Sequence, residues 1–224
     1  MEDKKKDHKK RLRKRFQEEG LNGFHDYEVL ELLLSYSLIY KDTKDLAKDL
    51  IQQFGSISQV MNASVKELEG IKGMSTRTAV LLKIVRESGV FMMKDKVLGR
   101  HHIKSSEDIQ NYLKYYYKAE KVETFLAFYL NVKNMIIAIE PLFKGTVNEA
   151  KVYLRTVVES SLKHGASAVI VVHNHPSGSM DVSSEDIKLT RKLKEILKII
   201  DVRLLDHIIV ADDECLSMNN NRLM

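Results

Sequence analysis

The amino-acid sequence predicts an α/β domain with a mixed sheet flanked by helices, preceded by a small all-α domain. Three observations carry this expectation. Through the first hundred residues, apolar side chains recur at spacings of three and four, the period of a helix. Beyond them, short runs rich in aromatic and β-branched residues alternate with helical stretches. Between the two lies "KDKVLGRHHIKSS", charged and weakly patterned, which sets a boundary near residue 99 and gives domains at 1–98 and 99–224.

A chain of 224 residues suits one or two domains. Its 44% of apolar residues suffices for a core, and its 30% of charged residues suits life in water. No apolar run approaches the roughly 20 residues that span a bilayer, and the start of the chain lacks the apolar heart of a signal peptide. A cytoplasmic location without a membrane partner is therefore expected. The one cysteine, Cys215, has no partner for a disulfide or a metal knuckle and reads as an ordinary residue near a strand end.

In the first half, "DYEVLELLLSYSL", "TKDLAKDLIQQFG" and "SVKELEGI" read as helices. Asp26, Thr43 and Ser64 stand where N-caps belong, and Gly55 stands where a helix ends. Between Lys4 and Arg15, nine Lys and Arg face one acid, Asp7. The cluster is either a phosphate contact, acting through counterion release, or a solvated, partly disordered lead-in to the first helix. In the second half, "ETFLAFYLNVKNMIIAIEPLFKG" reads as two strands and a turn. Then come a helix in "KVYLRTVVESSLKHGA", a buried strand in "SAVIVVHNH", a helix in "SEDIKLTRKLKEILKII" and a strand in "RLLDHIIVAD".

The end of that buried strand concentrates the chemistry. Alternate strand residues point the same way, so His173 and His175 project together while Asn174 faces oppositely. Pro176 and Gly178 then reverse the chain. Asp186 lies three and seven residues before Leu189 and Leu193, which places a carboxylate on the apolar face of the next helix. An unpaired charge there is costly, and a cation gripped by both histidines would remove the cost. Zinc suits such nitrogen and carboxylate donors, and three protein ligands leave a fourth tetrahedral position for water. Taken singly, each feature has an ordinary explanation: a polar residue near a strand end, or a capping box in Ser183-x-x-Asp186. Together they point to one bound ion, able to bring the pKa of water toward about 7.

The segment from His173 to Asp186 resembles the signature of the JAMM (MPN-plus) zinc metallopeptidases. More narrowly, "FKGTVNEA", "VVHNHPSG", "SEDIKLTRKLK" and "LLDHIIVAD" resemble the RadC-like branch of that superfamily. The resemblance covers essentially the whole chain, since RadC-like proteins also carry a small helical N-terminal region. It implies an MPN-type, cytidine-deaminase-like fold and one Zn2+ held by His173, His175 and Asp186. It also implies hydrolysis of a peptide or isopeptide bond in a protein substrate. Ser183 would then help stabilise the oxyanion, where a preorganised donor contributes a few kcal/mol. Glu123, directly before "TFLAFYLN", would be general base and proton shuttle. Glu140 and Glu149 lie nearby, but one precedes Pro141 at the far end of a hairpin strand and the other follows "GTVN", so neither matches the position.

The chain departs from the RadC pattern in two places. "SMDVSS" follows "HNHPSG" where the family has an aspartate and further prolines, and "YLR" replaces a His-Pro-Arg element, keeping only Arg155. Asp206 and His207 match a family motif near the C-terminus, and orienting a ligand or pairing within the sheet are equal readings of them. His101, His102 and His164 have no partner at ligand spacing and read as surface residues.

In the helical half, "LEGIKGMSTRTAVLLKIV" resembles a helix-hairpin-helix element, whose Gly-rich turn can contact DNA phosphates without reading bases. Gly70, Gly73 and Arg77 are the candidate contacts. Ser75 replaces the second hairpin glycine, a poorer fit where φ must be positive. A packing unit without a ligand is the equal alternative. Two functions follow: a zinc hydrolase, and a DNA-repair-associated nucleic-acid-binding accessory protein whose metal domain is structural.

Overall fold

A computed structural model describes residues 2–39, 42–100, 106–145 and 150–224. Its contacts divide the chain into two units between Gly89 and Val90. The first unit holds α1 (Glu2–Glu19), α2 (Asp26–Ser37), α3 (Lys44–Phe54), α4 (Ile57–Asn62), α5 (Val65–Glu69) and the start of α6 (Thr76–Val97). Leu30, Leu34, Leu46, Leu50, Val60 and Leu68 form its core.

Local chemistry explains where these helices begin. Ser64 and Glu67 form a capping box on α5, and Gly55 closes α3 at φ +91°. One expected cap shifts and another keeps its place without its bond. His25, not Asp26, precedes α2; Glu28 Oε2 accepts the His25 N–H, and Asp26 Oδ2 instead accepts the Ile57 N–H at 3.2 Å. Thr43 sits at the cap position of α3, yet its hydroxyl makes no capping bond. The basic run is not a lead-in to the first helix but lies within it, in α1.

The second unit contains α7 (Ser106–Tyr117), β1 (Thr124–Leu130), β2 (Ile136–Lys144), α8 (Ala150–Lys163), β3 (Ala168–Asn174), α9 (Ser184–Ile199), β4 (Arg203–Ala211) and β5 (Glu214–Ser217). The strand order is β2-β1-β3-β4-β5, and β3–β4 is the parallel pair among otherwise antiparallel neighbours. The architecture is the mixed sheet flanked by helices that the sequence predicts. β3 is central and buried along its whole length. That burial explains why it reads as a continuous aliphatic run rather than an alternating one. Leu126, Phe128, Ile170 and Val172 face α7 and the last turns of α6, through Val90 and Val97. Phe125, Tyr129, Val169 and Val171 face α8 and α9, through Val157, Leu189, Leu193 and Leu197. Pro141 is tolerated because β2 is an edge strand, and the register slips between Phe125 and Leu126 opposite it.

Glu140 lies on β2 beside α8, where it accepts Ser160 Oγ at 2.6 Å and Lys163 Nζ at 2.8 Å. His164 is not simply a surface residue: its Nε2 is 2.8 Å from Glu140 Oε1, and its ring stacks on Tyr129. Lys163 and Ser160, with help from His164 and against the effect of burial, hold the Glu140 carboxyl down at about 2. A depressed carboxylate stabilises the fold above its unfolded pKa, and that contribution fades as pH falls through the folded value. The Glu140→Gln variant should therefore lose under about 1 kcal/mol at pH 7, allowing for solvent screening. Urea unfolding should show the difference shrinking below about pH 4.5, mostly lost near pH 2 and gone about a unit lower.

Candidate metal centre

β3 delivers His173 in the middle of the sheet, paired with Phe125 on β1 and Ile209 on β4. Its ring is fully buried and stacks on Phe125 with centroids 4.6 Å apart. His175 lies just past the strand, but its N–H still donates to Val210 O at 2.9 Å, so it keeps strand-like direction. Pro176 then stops the run. Gly178 turns it at φ +80°, with its Cα facing the Asp212 carboxylate. The turn brings Ser179 O within 2.8 Å of His175 Nδ1. A carbonyl can only accept, so His175 carries its hydrogen on Nδ1 and leaves Nε2 bare.

Asp186 arrives from the N-terminus of α9. Ser183 caps that helix: its Oγ accepts the Asp186 N–H at 3.1 Å and donates to Asp186 Oδ2 at 2.7 Å. The capping box and the candidate ligand are therefore the same residue, not rival readings of it. Asp186 Oδ1 remains free for the centre and lies 3.2 Å from His173 Nε2. The two imidazole Nε2 atoms are 3.0 Å apart, and Asp186 Oδ2 is 3.7 Å from His175 Nε2. Burial would raise the Asp186 carboxyl, but positive charge at His173, as when a proton stands in for a metal ion there, together with the Ser183 hydroxyl and N–H outweighs it and holds the group well below the carboxylate range.

Donor atoms of all three residues fall within 4.8 Å of one another. A tetrahedral zinc with bonds of about 2.0–2.2 Å keeps its donors about 3.3–3.6 Å apart. The separations from His173 Nε2, 3.0 Å to His175 Nε2 and 3.2 Å to Asp186 Oδ1, lie close to that spacing, and the donor set is of the nitrogen-and-carboxylate type that zinc accepts. The residues present thus fit a single metal ion.

Glu123 stands just before β1, with Oε1 4.0 Å from His173 Nε2. Burial, partly offset by His173, raises its carboxyl. Asn174, facing away from the histidines, fixes that approach: its Oδ1 accepts the Thr124 N–H at 2.8 Å and its Nδ2 reaches Val122 O at 3.3 Å. Glu140 is committed to the cluster on α8. Glu149, His101 and His102 lie outside the described residues. Arg155 is exposed and pairs with Glu159 along α8.

Of the two readings of His207, contact with a ligand is the one the geometry shows, and Thr190, which the sequence did not bring to the centre, stands beside it. His207 on β4 has Nε2 2.8 Å from His173 Nδ1, and Thr190 Oγ1 is 2.6 Å from His207 Nδ1. Both are fully buried, and burial holds the His207 ring well below its ordinary pKa. Thr190 carried a signal, being a polar residue one turn beyond Asp186 on the same apolar stripe. Asp206 turns away; its carboxylate accepts from Ser217 Oγ at the end of β5 and from the Asn219 N–H beyond it.

In the helical unit, Gly70 and Gly73 flank an exposed turn between α5 and α6, and Arg77 is exposed on the first turn of α6. The positive φ falls on Gly73, at +96°. Ser75 is spared it and caps α6 instead, accepting the Thr78 N–H at 3.3 Å.

A model of the RadC-like JAB domain matches residues 103–223, over half of the chain. The chain belongs to that family. A model of the UPF0758 N-terminal region matches residues 4–80 as well, so the RadC-like kinship extends through the helical unit. The UPF0758 protein of Neisseria gonorrhoeae (strain NCCP11945) is 36% identical over 214 residues, covering 96% of this chain and 95% of its own. The UPF0758 protein SPO0054 of Ruegeria pomeroyi is 37% identical over 206 residues, 92% of each chain. That of Stutzerimonas stutzeri is 36% identical over 208 residues, 93% of each. Within the JAB domain, the His-His-Asp group sits at the end of the central strand. Among the described residues, no helix is long and apolar enough to cross a membrane.

Proposed function

We propose that the JAB domain is a zinc-dependent hydrolase that cuts a peptide or isopeptide bond in a protein substrate. One observation carries the reading: two imidazole nitrogens and a carboxylate converge, and a second carboxylate, Glu123, stands 4.0 Å from the first of those nitrogens. His173, His175 and Asp186 would hold the ion. Zinc bound there supplies Lewis acidity, which polarises a carbonyl and lowers the pKa of water to about 7.

The remaining work belongs to the protein. Glu123 accepts a proton on a carboxylate oxygen as water attacks, then passes it to the departing amine. Its raised pKa suits both halves of that exchange. At 27% side-chain exposure it can meet a substrate while its backbone stays fixed by Asn174. The Ser183 hydroxyl has one hydrogen, and in the resting geometry it serves Asp186 Oδ2. Stabilising an oxyanion requires that hydrogen to swing toward the substrate, leaving Asp186 with the Ser183 N–H at 2.9 Å.

A second reading concerns the helical unit, where the exposed turn at Gly73 and the exposed Arg77 support contact with DNA phosphates. Affinity for duplex DNA should then fall steeply as salt rises. Absence of binding at low salt would remove this reading.

For the hydrolase, Glu123→Gln should bind zinc as the parent does and lose about 10²–10⁴-fold in turnover of whichever protein it captures from lysate. Undiminished turnover would remove Glu123 from the mechanism.

A further inference from the structure

Each of the three histidines at this centre has a ring nitrogen turned away from the convergence point, and what that nitrogen touches decides where its hydrogen resides. His175 is settled by Ser179 O. His173 is settled by a longer chain. Thr190 Oγ1 lies 2.6 Å from Asp186 O, 2.6 Å from His207 Nδ1 and 3.6 Å from Met218 Sδ. The Asp186 carbonyl only accepts, and the thioether is a weak, distant acceptor. The single hydroxyl hydrogen of Thr190 therefore goes to Asp186 O. His207 Nδ1 must then donate to Thr190 Oγ1, which leaves His207 Nε2 as a lone pair. That lone pair, 2.8 Å from His173 Nδ1, takes the His173 hydrogen. His173 Nε2 is left bare, facing Asp186 Oδ1 and His175 Nε2.

We infer that Thr190 and His207 form an uncharged hydrogen-bond relay that sets the tautomer of His173 and so makes its Nε2 available to a metal ion. They are positioning residues, and neither touches the ion. The relay begins at the backbone of one ligand, Asp186, and ends on the ring of another. Run backwards, with Thr190 donating to His207, it would place a hydrogen on His173 Nε2 and close that nitrogen to a cation. Metal-ligating histidines commonly donate to a carboxylate, a carbonyl or water. A neutral imidazole in that role adds no negative charge, so the centre keeps one acid, Asp186, within its donor group.

This inference rests on the reading of the centre as a metal site, but its first test needs no metal. Long-range proton–nitrogen NMR of chelator-treated protein reports which ring nitrogens carry hydrogen. His207 should be protonated on Nδ1 and bare on Nε2, and His173 should carry a hydrogen on Nδ1 whether or not a proton takes the metal's place between its Nε2, His175 Nε2 and Asp186. A His207 protonated on Nε2 in the parent protein would overturn the relay, whatever the variants do. In Thr190→Val the His207 Nδ1 loses its acceptor, and the His173 hydrogen should move to Nε2. Zinc affinity, measured by competition with a chelator, should fall about 10–100-fold. Thr190→Ser keeps the hydroxyl and should restore both tautomer and affinity. A valine variant that folds and binds zinc like the parent would also overturn the proposal. If the parent protein itself fails to take zinc, the metal reading falls while the tautomer pattern still decides the relay.

Discussion

A carboxylate buried against two bare imidazole nitrogens is the constraint around which the JAB domain is arranged. Leaving a buried carboxylate unpaired costs several kcal/mol. An N-cap contributes about 0.5–2 kcal/mol, and the dipole of α9 up to about 2 kcal/mol more in a partly buried setting. Capping therefore lowers the cost of Asp186 without removing the repulsion between its Oδ1 and the nitrogen lone pairs. Something positive has to be shared among the three donors, either a proton or a metal ion. The central position of β3 makes this unavoidable, because its neighbours fix His173 on both sides.

The two faces of the strand end divide the labour. His173 and His175 look toward α9, whereas Asn174 looks away and gathers the segment before β1 through the Thr124 N–H and Val122 O. That gathered segment carries Glu123. A single tripeptide, His-Asn-His, thus supplies two candidate ligands and the anchor that brings the candidate base to them. The centre is assembled from a strand end, a helix start and one backbone clamp, and needs no long loop to close it.

Much of this was legible in the sequence because it depends on local periodicity. Two-residue alternation placed His173 and His175 together, and spacings of three and seven placed Asp186 on the buried stripe with Leu189 and Leu193. What depends on pairing between distant segments was not legible. His207 reaches His173 because β3 and β4 run parallel in a register that sets Val171 beside His207, and strand order cannot be read from one sequence. The partners of His164, just past α8, are equally hidden in the sequence, since Glu140 and Tyr129 come from two different strands. Asp26 is a subtler case: it looks like a cap, but its carboxylate serves the start of α4 instead. Asp186 shows the reverse, since its capping-box position and its place as a candidate ligand coincide in one geometry.

Zinc titration of chelator-stripped protein, set beside Asp186→Asn and His173→Ala, tests the central claim most directly. Asparagine leaves the Ser183 cap on α9 in place and keeps an oxygen to accept from it but not the charge, so it should leave folding nearly unchanged while abolishing tight binding. The alanine variant should lose tight binding as well. The parent should take up one ion per chain. Equal, unsaturable zinc uptake by all three proteins would contradict the account and leave Asp186 as nothing more than the Ser183 partner in a capping box.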